Sequence, residues 1–117
     1  MVVIGSFIHV RNILKMKQID MDNKYKGELI LDEPMSKHTS WGIGGPADLF
    51  YSPKNRKGLI GFLSGLDSTI PITWIGRGTN VLVRDSGIRG VVINTRSFLK
   101  EIVKTSEHLY KVEAGVT

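Results

Sequence analysis

Pro71-Ile72-Thr73-Trp74-Ile75-Gly76-Arg77-Gly78-Thr79-Asn80-Val81-Leu82-Val83-Arg84-Asp85 is the stretch on which the fold turns. Ile72–Ile75 follows a proline and is rich in β-branched and aromatic residues, which predicts a short strand. Gly76 and Gly78 permit backbone angles closed to other residues and let a ligand approach the main chain. Successive N–H groups of such a turn can form an anion-binding concavity, to which Thr79 adds a hydroxyl and Asn80 an amide. The competing reading is a tight turn with no ligand and a solvated Arg77. The local pattern favours neither, because glycine turns between strands are common.

Upstream, Gly42-Ile43-Gly44-Gly45-Pro46 predicts a loop, and Ala47-Asp48-Leu49-Phe50-Tyr51 leaves it as a strand. Pro53 suits the first turn of a helix. Leu59, Phe62, Leu63 and Leu66 recur at the spacing of one buried helical face. Gly58, Gly61 and Gly65 each cost of order 1 kcal/mol relative to alanine in a helix interior, so packing against a sheet must hold this helix. Strand, helix, strand predicts a parallel pair. The glycine turn then lies just past the C-terminal end of the second strand, where open α/β sheets bind ligands.

Downstream, Val81-Leu82-Val83 and Val91-Val92-Ile93 read as short strands separated by Ser86-Gly87, and Leu109-Tyr110-Lys111-Val112-Glu113-Ala114 alternates like a half-buried strand. The expected fold class is α+β, a short parallel β-α-β unit followed by a strand-rich segment. Residues 1–30 carry no clear period, and Lys17-Gln18-Ile19-Asp20-Met21-Asp22-Asn23-Lys24 reads as a linker or surface helix. The first apolar run, Val2-Val3-Ile4, precedes Arg11, Lys15 and Lys17, the reverse of the charge order of a secretory signal. Residues 1–23 are expected to be a poorly ordered extension, with Met16 and Met21 as alternative starts.

The chain has 117 residues, no cysteine, 41% hydrophobic and 23% charged residues, a composition typical of one soluble globular domain. Without cysteine, disulfides, thiolate catalysis and Cys-ligated metals are excluded. A formal charge of +5 favours anionic ligands. The basic residues are dispersed rather than gathered into a stripe, which argues against nucleic acid as a partner.

Other chemistries fail on spacing. A dinucleotide-binding Rossmann turn needs a third glycine where position 81 holds Val. No Gly-Lys-Ser/Thr follows a glycine-rich loop, so a P-loop is excluded. His9, His38 and His108 show no metal-ligand spacing, and no metal site is expected. Nor does any Ser or Thr stand in a pattern that supplies it with a base. Arg84-Asp85 reads as a local ion pair, and Trp41 and Trp74 as core or turn packing.

Two segments together resemble the N-terminal FAD-binding portion of the UDP-N-acetylenolpyruvoylglucosamine reductase (UDP-N-acetylmuramate dehydrogenase) family. The first is Pro34-Met35-Ser36-Lys37-His38-Thr39-Ser40-Trp41-Gly42-Ile43-Gly44-Gly45-Pro46-Ala47-Asp48; the second runs from Ile75 to Asp85 and continues through Gly87-Ile88-Arg89-Gly90-Val91-Val92-Ile93. The resemblance covers residues 24–117 and implies a partial FAD-binding domain of the vanillyl-alcohol-oxidase (PCMH) type, with the turn on the FAD pyrophosphate. By this resemblance Ile75, Gly76, Arg77, Gly78, Thr79, Asn80 and Val81 are the cofactor-binding residues. The second position of the turn, often glycine in the family, is Arg77 here.

The family uses NADPH to reduce the flavin, and a UDP-sugar enolpyruvate as substrate, in cytoplasmic peptidoglycan precursor synthesis. It places its catalytic serine, arginine and glutamate beyond residue 117, so the resemblance implies no catalytic residue in this chain. It also implies weak FAD binding, no turnover by these residues alone, and sheet edges left exposed. A self-contained, non-catalytic flavin- or nucleotide-binding module and another FAD oxidoreductase of the same domain type are the alternatives.

Overall fold

The computed structural model describes residues 27–96 and 98–114. The expectations for residues 1–23, including the alternative starts, lie outside them. In chain order the elements are β1 (Glu28–Pro34), a 3-10 turn (Met35–Lys37), β2 (Pro46–Ser52), α1 (Arg56–Gly65), β3 (Ile72–Ile75), β4 (Ile88–Asn94), β5 (Ile102–Ser106) and β6 (Leu109–Val112). The result is an α+β arrangement: a mixed four-stranded sheet in the order β1-β2-β4-β3, and a separate β5-β6 ribbon.

The β-α-β unit forms, with one correction to its pairing. β2 and β3 do not touch: each runs parallel to β4, which lies between them. The reason is burial. Val91, Val92 and Ile93 are all 0% exposed, and a strand covered on both faces reads as a continuous apolar run. β3, with Ile72 and Trp74 partly in solvent, is suited only to the edge. β1 completes the other edge, antiparallel to β2; the sequence reading missed it because Leu29-Ile30-Leu31 is flanked by charges and supplies side chains to both faces.

Alternation along β2 and β4 divides the core. Leu49, Tyr51, Val91 and Ile93 face α1 and meet Leu59 and Phe62, with Leu63 and Leu66 packed alongside. The Tyr51 and Phe62 rings lie 4.1 Å apart between centroids. The helix therefore presents the face its spacing predicts. It begins later than Pro53, however: Asn55 is the N-cap, accepting the Gly58 N–H on Oδ1 at 2.8 Å, a stronger start signal than a proline two positions upstream.

The second face of the sheet carries no helix among the described residues. Phe50, Ala47, Ile75 and Val92 are covered there by Met35 of the 3-10 turn, by Val83, and by the partly buried Val81. The predicted strand at 81–83 is absent for this reason: Val81 and Val83 turn inward as an irregular cover, while Leu82 between them is 73% exposed. Trp41 and Trp74, expected to pack, are 71% and 51% exposed. Leu109–Val112 is a strand, but every residue of β5 and β6 is exposed, so it is not half-buried. Its partner β5 was not anticipated.

Between Ala47 and Leu49 the β2–β4 register slips, two residues of β4 standing against one of β2. Asp48 occupies that point, 3% exposed. Its Oδ2 accepts the Gly90 N–H at 2.9 Å, and its Oδ1 meets Arg89 Nη1 at 3.0 Å. A buried carboxylate thus takes the main-chain donor that the bulge removes from the ladder, and a cation offsets its charge. Arg89 also reaches the Ser86 carbonyl at 2.9 Å. The expected Arg84–Asp85 pair does not form; the ion pair of this region is Arg89 with Asp48.

Candidate anion site

The C-terminal ends of β3 and β4 open into a cleft of about 230 Å³ lined by Lys37, His38, Thr39, Ser40, Ile75, Gly76, Arg77, Asn94 and Arg96. Parallel strands put Ile75 opposite Asn94, and Thr95 donates its N–H to the Ile75 carbonyl at 2.9 Å. The glycine turn and the end of β4 therefore share one rim. The 3-10 turn supplies the opposite wall. Lys37, Arg77 and Arg96 give this cleft three cationic side chains, and among the described residues no carboxylate lines it.

The opposite wall is fixed from behind. Ser40 N–H donates to the Gly78 carbonyl at 3.0 Å. His38 stacks on the buried Phe50 ring at 4.0 Å, and its Nε2 lies 2.9 Å from Glu33 Oε1. Glu33, 8% exposed, is thereby engaged by His38 and is not one of the residues that line the cleft. The Thr39 hydroxyl is committed to the Ile43 carbonyl at 2.9 Å, so it holds the loop rather than offering itself to a ligand. The Asn94 Oδ1 likewise accepts the Arg96 N–H at 3.0 Å, which leaves the side chains of Lys37, Ser40, Arg77 and Arg96 and the Asn94 amide NH2 as the polar groups of the rim.

The two glycines of the turn part company. Gly78 has φ +71°, and a Cβ there would fall on the His38 carbonyl oxygen. It is glycine because two loops cross against it. Gly76 has ordinary φ, and a Cβ would meet nothing nearer than the Ala114 carbonyl oxygen at 3.6 Å. Neither backbone conformation nor packing requires glycine at 76, which leaves that position open to close approach from the cleft.

Of the residues assigned from sequence, Ile75, Gly76 and Arg77 line the cleft. Gly78 lies behind it, Thr79 and Asn80 are exposed outside it, and Val81 packs into the second-face core. Lys37, His38, Thr39, Ser40, Asn94 and Arg96 line the cleft as well and lie outside that assignment. Asn94 and Arg96 follow the apolar run of β4, so placing that run parallel to β3 would have brought them to the rim of the glycine turn.

Seven of the nine residues that line this cleft lie in the segment pair that carries the family resemblance; Asn94 and Arg96 follow directly after it. Over 100 residues the chain is 43% identical to the UDP-N-acetylenolpyruvoylglucosamine reductase of Coxiella burnetii (strain RSA 493 / Nine Mile phase I), a match covering 83% of this chain and 32% of that protein. The chain is a relative of the UDP-N-acetylenolpyruvoylglucosamine reductases. Against the reductase of Legionella pneumophila (strain Paris), identity is 44% over 92 residues, 79% of this chain and 30% of that protein. The chain thus spans about a third of the length of the curated reductases it matches. No family model matches it. Among the described residues no helix is long and apolar enough to cross a membrane.

Proposed function

We propose that this chain contributes the pyrophosphate-holding part of the FAD site of a UDP-N-acetylenolpyruvoylglucosamine reductase. The observation that carries the reading is the cleft at the ends of β3 and β4: three cations, no carboxylate among the described residues that line it, and a glycine that neither backbone angle nor packing requires. Donors of that kind suit a doubly charged diphosphate. The volume of about 230 Å³ falls below the ~300–1,000 Å³ of sites that engulf a drug-sized ligand. It therefore accommodates a charged segment of a dinucleotide rather than all of it.

In this reading Arg77 and Arg96 approach the diphosphate from the glycine-turn rim and Lys37 from the 3-10 turn, while Gly76 lets the main chain come close. The bound flavin supplies the hydride-transfer chemistry, and the chain orients it. The whole protein would use NADPH to convert UDP-N-acetylglucosamine enolpyruvate to UDP-N-acetylmuramate in the cytoplasm, for peptidoglycan precursor synthesis. The groups acting on the substrate would lie outside this third of the protein. Likewise, the vanillyl-alcohol-oxidase type of FAD domain is the proposed parent fold of the mixed sheet.

Calorimetric titration of this chain with inorganic pyrophosphate and with FAD, at two salt concentrations, tests the reading. Saturable binding that weakens with salt, and by about threefold or more in Arg77→Ala and in Arg96→Ala, is expected for partly exposed cations. Binding unchanged in both variants would place the anion elsewhere. A stoichiometric, tightly held flavin spectrum from this chain alone would favour a self-contained flavin module over a part of the reductase.

A further inference from the structure

The β5-β6 ribbon has no buried residue, so apolar packing does not set its direction. Its attachment is polar and gathers at one end. Glu113 accepts Arg56 Nη2 on Oε1 and the Glu101 N–H on Oε2, the latter at 3.0 Å, and its own N–H donates to the Glu101 carbonyl at 3.0 Å. The Glu113 side chain is only 8% exposed although Arg56 is 56% exposed. One residue further, the Ala114 carbonyl accepts the Thr95 hydroxyl at 3.3 Å. That same oxygen is the atom nearest to where a Gly76 side chain would begin.

We infer that Glu113, clamped by Arg56 at the start of α1, is a positioning residue for the anion cleft. The clamp holds the end of the ribbon so that the Ala114 main chain backs Gly76, fixing the height of the glycine rim beside Arg77. α1 and the cleft are thereby coupled through a carboxylate that does not line the cleft. Thr95 carries the coupling, since its hydroxyl also lies 3.4 Å from the Ile75 carbonyl, the residue before Gly76. The effect on a ligand rests on the anion-site reading above; the effect on the glycine rim does not.

The test is a double-variant cycle on the full chain, comparing Arg56→Ala, Glu113→Ala and the two together, with Arg56→Lys as the conservative variant. Two readouts are taken. The first needs no ligand: amide shifts and hydrogen exchange at Gly76 and Arg77. Both single variants are expected to move these amides, the double variant no further than either single one, and Arg56→Lys much less. The second is the dissociation constant for inorganic pyrophosphate, expected to rise about two- to fivefold in each alanine variant, as for a partly exposed ion pair.

Unmoved Gly76 and Arg77 amides in both alanine variants would overturn the inference. So would fully additive effects, because the residues would not then act as a pair. If those amides move as expected while the wild-type chain shows no pyrophosphate binding, the positioning holds and the anion-site reading fails. If Glu113→Ala does not fold, Arg56→Ala and Arg56→Lys, altered on an exposed side chain, decide the matter by the same amides.

Discussion

Ser40 and Gly78 are joined main chain to main chain, the Ser40 N–H donating to the Gly78 carbonyl at 3.0 Å, and this bond is what brings the 3-10 turn to the glycine turn. The crossing is tight enough that Gly78 has no room for a side chain against the His38 carbonyl. Gly78→Ala therefore combines a left-handed backbone with a backbone clash, and should cost about 2–4 kcal/mol. Gly76→Ala, with ordinary φ and space for a methyl, should leave stability within about 1 kcal/mol while weakening pyrophosphate binding. Urea denaturation of the two variants checks the contrast; equal losses at both positions would mean that the turn does not divide its glycines this way.

At Asp48 a single side chain holds a backbone irregularity, the slip in the β2–β4 register. Replacing it with Ala leaves the Gly90 N–H and the Arg89 guanidinium without their buried partner, and should cost about 2–4 kcal/mol. Asp48→Asn keeps an acceptor for the Gly90 N–H but sets an amide NH2 against the Arg89 guanidinium, so it gives up the ion pair while keeping the hydrogen bond, and about half that loss is expected. Thermal unfolding of the two variants separates the hydrogen bond from the ion pair. Asp48→Asn as damaging as Asp48→Ala would assign the whole effect to charge.

How much of this was legible follows from which residues act locally. Ile72–Ile75 and the Leu59/Phe62 face declared themselves through spacing, because side-chain periodicity is a property of a short segment. The position of β4 did not: Val91-Val92-Ile93 announces burial on both faces, but its partners are chosen by pairing across the chain. Val81 and Val83 misled for a related reason, since an apolar run over a sheet face looks the same in a strand and in an irregular cover. The site divides along the same line. Gly76 and Arg77 belong to one contiguous turn and were assigned; Lys37, Ser40, Asn94 and Arg96 reach the cleft only after the sheet is assembled.

The helix offers a direct measure of how far packing holds a poor helix former. Its interior carries Gly58 and Gly61 and it ends at Gly65, so its start signal matters more than in an alanine-rich helix. Asn55→Ala removes the acceptor for the Gly58 N–H and should lower stability by about 1 kcal/mol, whereas Gly65→Ala, where a methyl meets open space, should raise it by roughly 0.5 kcal/mol. Chemical denaturation reads both. An Asn55→Ala chain as stable as the parent would mean that Leu59 and Phe62 alone set where the helix begins.

Acid sensitivity should be traceable to the turn between α1 and β3. Asp67 Oδ1 accepts the Thr69 N–H at 2.8 Å and the Thr69 hydroxyl at 2.7 Å. These bonds, the main-chain one foremost, hold the carboxyl below its ordinary value of 3.8. A group whose folded value is depressed stabilises the fold at pH above its unfolded value and loses that contribution as pH falls through the folded one. Acidification should therefore narrow the stability difference between the parent and Asp67→Asn, with the loss setting in as pH approaches the ordinary aspartate value and complete below the depressed one. A carboxyl titration followed by NMR, with Thr69→Val to remove the hydroxyl, checks the cause: the midpoint should lie below the ordinary value in the parent and move back only part of the way in Thr69→Val, because the main-chain donor remains. A parent midpoint at the ordinary value would show that the turn does not hold its carboxylate in solution.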